Sequence, residues 1–183
     1  KDAFLTDGLT YLQWGSTDYT HQLASAENIP DTGKATVVGR DSGEVITIKD
    51  NFVEVYAGEG DDIISAGSAS SWFFGYGGND IIDAGAGDDD IYGGEGNDIL
   101  NGEAGDDQIY GGAGDDTYIF EYLGDDTIND SMGVNTLRIS GDVWEKTFRE
   151  GDDFITEGTT GTITYKDAFL TDGLTYLQWG STD

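Results

Sequence analysis

The feature that most limits what this chain can become is a nine-residue period that runs from Ala57 to Ile119. Its blocks read AGEGDDIIS, AGSASSWFF, GYGGNDIID, AGAGDDDIY, GGEGNDILN, GEAGDDQIY and GGAGDDTYI. The sixth position is Asp62, Ser71, Asp80, Asp89, Asp98, Asp107 and Asp116. The eighth is Ile64, Phe73, Ile82, Ile91, Leu100, Ile109 and Tyr118. One position is acidic in all blocks but one, and the other is apolar throughout.

Each position has a physical reading. Glycines early in the block permit positive φ and a tight turn, which leaves backbone carbonyls free to point at one spot. The aspartate at position six adds carboxylate oxygen. The three residues that follow make a short strand, and alternation across a strand turns the single apolar residue inward and its neighbours to water. Two turn-plus-strand units form one coil, so blocks two apart stack with their aspartates facing a shared gap. A cation fits that gap. The oxygen donors are hard, which favours calcium with its six to eight contacts at about 2.3–2.6 Å; magnesium sheds its water reluctantly. Zinc is disfavoured, because the single histidine, His21, lies outside the repeats and the chain has no cysteine.

The blocks resemble the nonapeptide G-G-x-G-x-D-x-U-x, already known as the calcium-binding β-helix repeat of the repeats-in-toxin (RTX) family. The resemblance implies an all-β chain: a parallel β-roll of calcium-stacked nonapeptides with flanking β-rich capping regions. Expected metal-site residues are Asp62, Asp80, Asp89, Asp98, Asp107, Asp116 and Asp126. With them come Gly58, Gly60, Gly75, Gly77, Gly85, Gly87, Gly93, Gly94, Gly96, Gly102, Gly111, Gly112 and Gly114. The bridges expected on one edge are Asp62 with Asp80, Asp80 with Asp98, and Asp98 with Asp116. On the other, Asp89 faces Asp107, and Asp107 faces Asp126 in an eighth turn, Gly124-Asp125-Asp126-Thr127-Ile128, shifted by one residue. Ser71, opposite Asp89, brings no charge, so its site should be weak.

Composition makes an external cation necessary. Leu, Ile, Val and Phe supply only 40 of 183 residues, near the level at which a highly charged chain stays unfolded. The net charge of −29 pushes the carboxylates apart. It also excludes nucleic-acid binding, which starts from a basic face, and attraction to anionic membranes. No apolar run is long enough for a membrane helix. Below micromolar calcium the turns should repel and unfold, which suits export coupled to folding.

The chain divides by pattern into four parts: 1–18, a duplicated cap segment; 19–56, an N-terminal β flank; 57–119, the roll; and 120–183, a C-terminal β capping region. Strand-like runs such as NTLRIS, DFITEG and TGTITYKDAF fill the last part, and Trp144, Phe148, Phe154, Tyr165 and Phe169 read as its packing. VITIKDNFV at 45–53 matches TITYKDAFL at 162–170 at Ile, Thr, Lys, Asp and Phe, so related strands bracket the roll. The segment KDAFLTDGLTYLQWGSTD at 1–18 recurs unchanged at 166–183, a period of 165 residues. Two origins account for it: near-identical tandem modules of a giant exported protein, or an introduced duplication. A chain with two copies of one cap has a spare, which either fills a neighbour's slot and builds head-to-tail filaments or packs beside its own module.

No catalytic pattern stands out. Carboxylate pairs are explained by the turns, and Asp88-Asp89-Asp90 is not an EF-hand, since Tyr92 and Ile99 stand where that loop needs oxygen. Self-cleavage at Asp-Pro is unsupported, because the one proline, Pro30, follows Ile29. In the second block Phe73 should face in while Trp72 and Phe74 face out, either to dock a partner or to meet the N-terminal flank. The sequence points to a calcium-dependent structural or adhesive module of a bacterial secreted or cell-surface RTX protein, with calcium and further copies of itself as partners. The competing reading is the non-catalytic secretion or targeting domain of a larger exported toxin or enzyme.

Overall fold

The computed structural model describes residues 11–14, 35–39, 43–48, 53–120, 124–130, 132–139, 144–150, 153–158, 161–166 and 174–179. Side chains of 11–14, 35, 144–150, 153, 158 and 174–179 lie outside the described set. So do His21, Pro30, the side chains of Trp144 and Phe148, and Phe169.

Each nonapeptide block yields one strand, and further strands flank the repeats on both sides. In chain order they are β1 (Tyr11–Trp14), β2 (Ala35–Val38), β3 (Val45–Thr47), β4 (Val53–Glu59), β5 (Ile63–Ser65) and β6 (Trp72–Gly77). Then come β7 (Ile81–Asp83), β8 (Asp90–Glu95), β9 (Ile99–Asn101), β10 (Gln108–Ala113) and β11 (Thr117–Phe120). The last are β12 (Asp125–Asn129), β13 (Asn135–Ile139), β14 (Trp144–Glu150), β15 (Asp153–Gly158), β16 (Thr162–Lys166) and β17 (Leu174–Trp179). The described residues contain no helix, and so none that could cross a membrane.

Successive strands alternate between two sheets. One has the order β1-β2-β4-β6-β8-β10-β12-β16-β15-β14, the other β17-β13-β11-β9-β7-β5-β3. From β4 to β13 all pairing is parallel, and within the repeats partners lie 18 residues apart: Val55 beside Phe73, Phe73 beside Ile91, Ile91 beside Ile109. The other sheet stacks Ile46, Ile64, Ile82, Leu100 and Tyr118 in the same way. This is a β-roll, a solenoid of about 5 turns.

Both rows point inward and are fully buried, as the eighth position of the repeat requires. Each such side chain contributes about 1.5–3 kcal/mol, and each nonapeptide supplies one. The parallel ladder continues beyond residue 119: Ile109 pairs with Ile128 and Tyr118 with Leu137, now 19 residues apart. β16 then joins β12, and β17 joins β13, both parallel. Antiparallel strands stand at both ends of the larger sheet, β1 on β2 and the hairpin β14–β15 on β16. Phe154 and Tyr165 are buried there.

In the aromatic block, Phe73 is buried and Trp72 is exposed. Phe74 lies in a ladder along the outer face, stacked 5.0 Å from Tyr56 and 4.9 Å from Tyr92, which stacks 4.6 Å from Tyr110. Neighbouring rings cover one another's faces, so the ladder presents mainly ring edges to water.

Candidate metal centre

The turns between strands put the six position-six aspartates, and Asp126 of the shifted eighth turn, on the edges of the roll, and all seven are buried. They fall into two rows. The first is Asp62, Asp80, Asp98 and Asp116; the second begins with Ser71 and continues through Asp89, Asp107 and Asp126. In each row one carboxylate oxygen is spent on the backbone. Asp80 Oδ1 accepts the Asp62 N–H at 2.8 Å, Asp98 Oδ1 that of Asp80 at 2.8 Å, and Asp116 Oδ1 that of Asp98 at 2.8 Å. In the second row Asp89 Oδ1 accepts from Ser71 at 2.6 Å, Asp107 Oδ1 from Asp89 at 2.9 Å and Asp126 Oδ1 from Asp107 at 3.0 Å. The carboxylates thus tie each coil to the one before it.

The other oxygen has no such role. Oδ2 of Asp62, Asp80, Asp89, Asp98, Asp107 and Asp116 is buried without a hydrogen-bond partner. Where it points follows from the first residue of each block. A Cβ placed on Gly75 would meet Asp80 Oδ2 and lie 2.5 Å from the carbonyl oxygen of Gly93. One on Gly93 would meet Asp98 Oδ2 and lie 2.7 Å from the Gly111 carbonyl. Gly102 stands likewise against Asp107 Oδ2. Acceptor therefore faces acceptor, with no donor between them, and an unpaired buried polar atom costs about 1–3 kcal/mol, more when charged.

Electrostatics tells the same story. Burial, the largest cause, raises Asp62, Asp98 and Asp107 from the ordinary 3.8 to about 6, Asp80 and Asp116 to about 7, and Asp89 and Asp126 to about 8. Backbone N–H groups pull them down. Neighbouring carboxylates push most of them further up, as Asp98 and Asp62 do to Asp80.

A hard cation answers all three observations: the orphan oxygens, the converging carbonyls and the mutual repulsion. No three His, Cys, Asp or Glu side chains cluster among the described residues, so the donor set is carboxylate plus backbone carbonyl. That set fits calcium.

The glycines expected at the site divide into groups. Gly75, Gly93, Gly102 and Gly111 line the spaces just described. Gly58, Gly85, Gly87, Gly94, Gly96, Gly112 and Gly114 adopt positive φ. At Gly94, with φ 121, a Cβ would strike the Tyr76 carbonyl of the preceding coil, so no other residue stacks there without shifting the backbone. Gly60 places its carbonyl oxygen where a Cβ on Gly78 would be. Gly77 lies in β6, beside the Glu59 carboxylate; the left-handed turn falls instead on Gly78, with φ 116.

Several contributors escaped the sequence reading. Gly105 takes φ 137, and Tyr76 and Glu103 hold left-handed positions that other blocks give to glycine. Position five forms a second, exposed ladder of opposite direction. Asp61 Oδ1 accepts the Asn79 N–H at 2.7 Å, Asn79 Oδ1 that of Asn97 at 2.8 Å, and Asn97 Oδ1 that of Asp115 at 2.7 Å. Its signal was the recurrence of Asp, Asn or Ser just before each position-six residue. A ninth turn, Gly133-Val134-Asn135, was hidden by its 19-residue spacing: Asn135 Oδ1 accepts the Asp116 N–H at 2.8 Å.

Fold and site together define a β-roll module built to bind calcium through repeated turns. Residues 56–91 and 84–118 match the family model of the RTX calcium-binding nonapeptide repeat, which holds four copies. The repeat segment belongs to the RTX repeat family, and calcium is its ion. A comparison with curated proteins finds no match.

Proposed function

We propose that this chain is a calcium-dependent structural or adhesive module of a secreted RTX protein, folded by ions bound along its two aspartate rows. The observation that carries the reading is the set of six buried, partnerless Oδ2 atoms, of which those of Asp80 and Asp98 share their space with a backbone carbonyl. Asp62, Asp80, Asp98 and Asp116 would hold calcium on one edge, and Asp89, Asp107 and Asp126 on the other, with carbonyls of the turn glycines completing the shell. Bound calcium supplies positive charge where the polypeptide has placed only acceptors. The carboxylates orient through their Oδ1 bonds, and the glycines leave room. No catalytic role is assigned to these residues.

At about 10⁻⁴–10⁻³ M affinity, a tenfold ion excess stabilises by roughly 1.4 kcal/mol per site. Several sites together rival the stability of a whole domain, about 5–15 kcal/mol. Low calcium inside a cell would keep the chain unfolded for export, and calcium outside would fold it. Circular dichroism during a calcium titration tests this: β signal should appear cooperatively, and β signal that persists after chelation at neutral pH would overturn the reading.

The duplicated segment supports a further part of the proposal, assembly of copies head to tail. Its two copies contribute β1 and β17, which pair with different strands, so one sequence fits two kinds of slot. Light scattering in calcium should give larger particles for the full chain than for one lacking residues 1–18. Equal monomeric size would remove assembly from the reading.

A further inference from the structure

The row through Asp62, Asp80, Asp98 and Asp116 runs into a segment outside the nonapeptide pattern. Nineteen residues after Asp116 stands Asn135, and nineteen after Gly111 stands Asp130. Asn135 keeps the backbone half of the aspartate's task through its Oδ1. Its Nδ2 replaces the orphan oxygen with a donor, bonded to Asp130 Oδ2 at 2.7 Å, the Met132 carbonyl at 2.8 Å and the Tyr165 hydroxyl at 3.0 Å.

Asp130 is 7% exposed and held in one orientation. Its Oδ2 also accepts the Tyr118 hydroxyl at 2.5 Å, and its Oδ1 accepts the Met132 N–H at 3.0 Å. All three donors are uncharged, so the carboxylate is fixed but not neutralised. Its Oδ2 borders the same space as Asp116 Oδ2: a Cβ on Gly111 would meet Asp116 Oδ2 and the Tyr118 hydroxyl and lie 2.7 Å from Asp130 Oδ2. Asp116 is 1% exposed, and its Oδ2 has no partner. The Tyr118 proton is committed to Asp130, so the phenol offers this space only a lone pair.

We propose that Asp116 and Asp130 hold a calcium ion beside Gly111, a terminal site in which a residue outside the repeats supplies the second carboxylate. The proposal rests on the reading that the aspartate rows bind calcium. It extends that reading to a different donor set and a different consequence. The ion joins the last repeat to the turn that carries Asn135, and through Asn135 to Tyr165 of β16, so closing this site couples the roll to the strands that follow it.

Equilibrium dialysis with calcium on the full chain and on Asp130→Asn tests the site. The amide removes the charge and keeps one acceptor oxygen, which serves Tyr118 and Asn135 on the Oδ2 side or Met132 on the Oδ1 side, so the variant also gives up one of these hydrogen bonds. The variant should bind one calcium fewer per chain, with the remaining ions retained; unchanged stoichiometry would overturn the proposal and leave Asp130 a purely structural hydrogen-bond acceptor. If the wild-type chain binds no calcium, the reading of the rows fails and this site with it. Should Asp130→Asn not fold, wild-type crystals grown in calcium decide. An anomalous peak between Asp116 and Asp130 is expected, and peaks along the repeats with none beside Gly111 would overturn the site alone.

Discussion

The two edges of the roll share one backbone and differ in a few side chains. On the first edge every position-six residue from Asp62 to Asp116 is an aspartate; on the second the series opens with Ser71. Ser71 Oγ accepts the Val53 N–H at 3.2 Å and donates to the Ala69 carbonyl at 2.8 Å. It therefore performs the backbone task of an aspartate and leaves no orphan oxygen. The block's first residue varies within both rows: it is glycine before Asp80, Asp98, Asp116 and Asp107, and alanine before Asp62, Ser71 and Asp89. The comparison separates two functions fused in the repeat. Stacking the coils needs one acceptor, while holding an ion needs a second, charged oxygen and space beside it.

Removing calcium at neutral pH should erase the difference between the edges by unfolding both. This is the largest effect expected, a loss of the whole transition in a thermal melt followed by circular dichroism.

Acid should partly reverse it. The aspartates' folded pKa values of about 6 to 8 lie above the ordinary 3.8, so the metal-free folded state binds more protons than the unfolded chain between these limits. Stability in calcium-free buffer is then fully present below about pH 4 and lost as pH rises through 6 to 8. Melts at pH 4 and pH 7.5 should differ in that order, and the reverse order would remove charge repulsion as the cause. With calcium present the dependence should invert, since protons and ions compete for the same oxygens.

Single substitutions sharpen the comparison. Asp98→Ala should raise the calcium midpoint of folding more than Asp89→Ala, because Asp98 stands between two aspartates and Asp89 has Ser71 on one side. Both variants strand a buried N–H, that of Asp80 or of Ser71, at about 1–3 kcal/mol, so the backbone cost cancels between them. Equal midpoints would mean the rows act only as hydrogen-bond ladders. The smallest effect is a gain. Ser71→Asp combined with Ala66→Gly should add one bound calcium in calorimetric titration, worth roughly 1.4 kcal/mol at tenfold ion excess.

Much of this was legible in the residues because the repeat is short and each position has one task. The inward row of Ile64, Phe73, Ile82, Ile91, Leu100, Ile109 and Tyr118 is buried as read, and the aspartates are neighbours in the order read. Other parts needed coordinates. The direction of the two side-chain ladders is a property of three-dimensional stacking. Tyr76 and Glu103 adopt backbone angles that their residue types disfavour, because the coils above and below fix the turn. Asp130 and Asn135 were concealed by a one-residue lengthening of the coil, which destroys a strict period in sequence while preserving it in space.

The limit of sequence is clearest where the sequence is the same twice. YLQW in β1 runs antiparallel to β2, with Tyr11 beside Val38 and Trp14 beside Ala35. The same residues within β17 run parallel to β13, with Leu177 beside Leu137 and Trp179 beside Ile139. The sequence by itself determined that the repeats wind into a calcium-binding roll, because alternation and turn chemistry are local. Which edge each strand joins, and in which direction, was decided only by the tertiary structure. Strands associate through backbone N–H and C=O groups that are alike in every residue, so the partner is the open edge that the rest of the fold brings within reach.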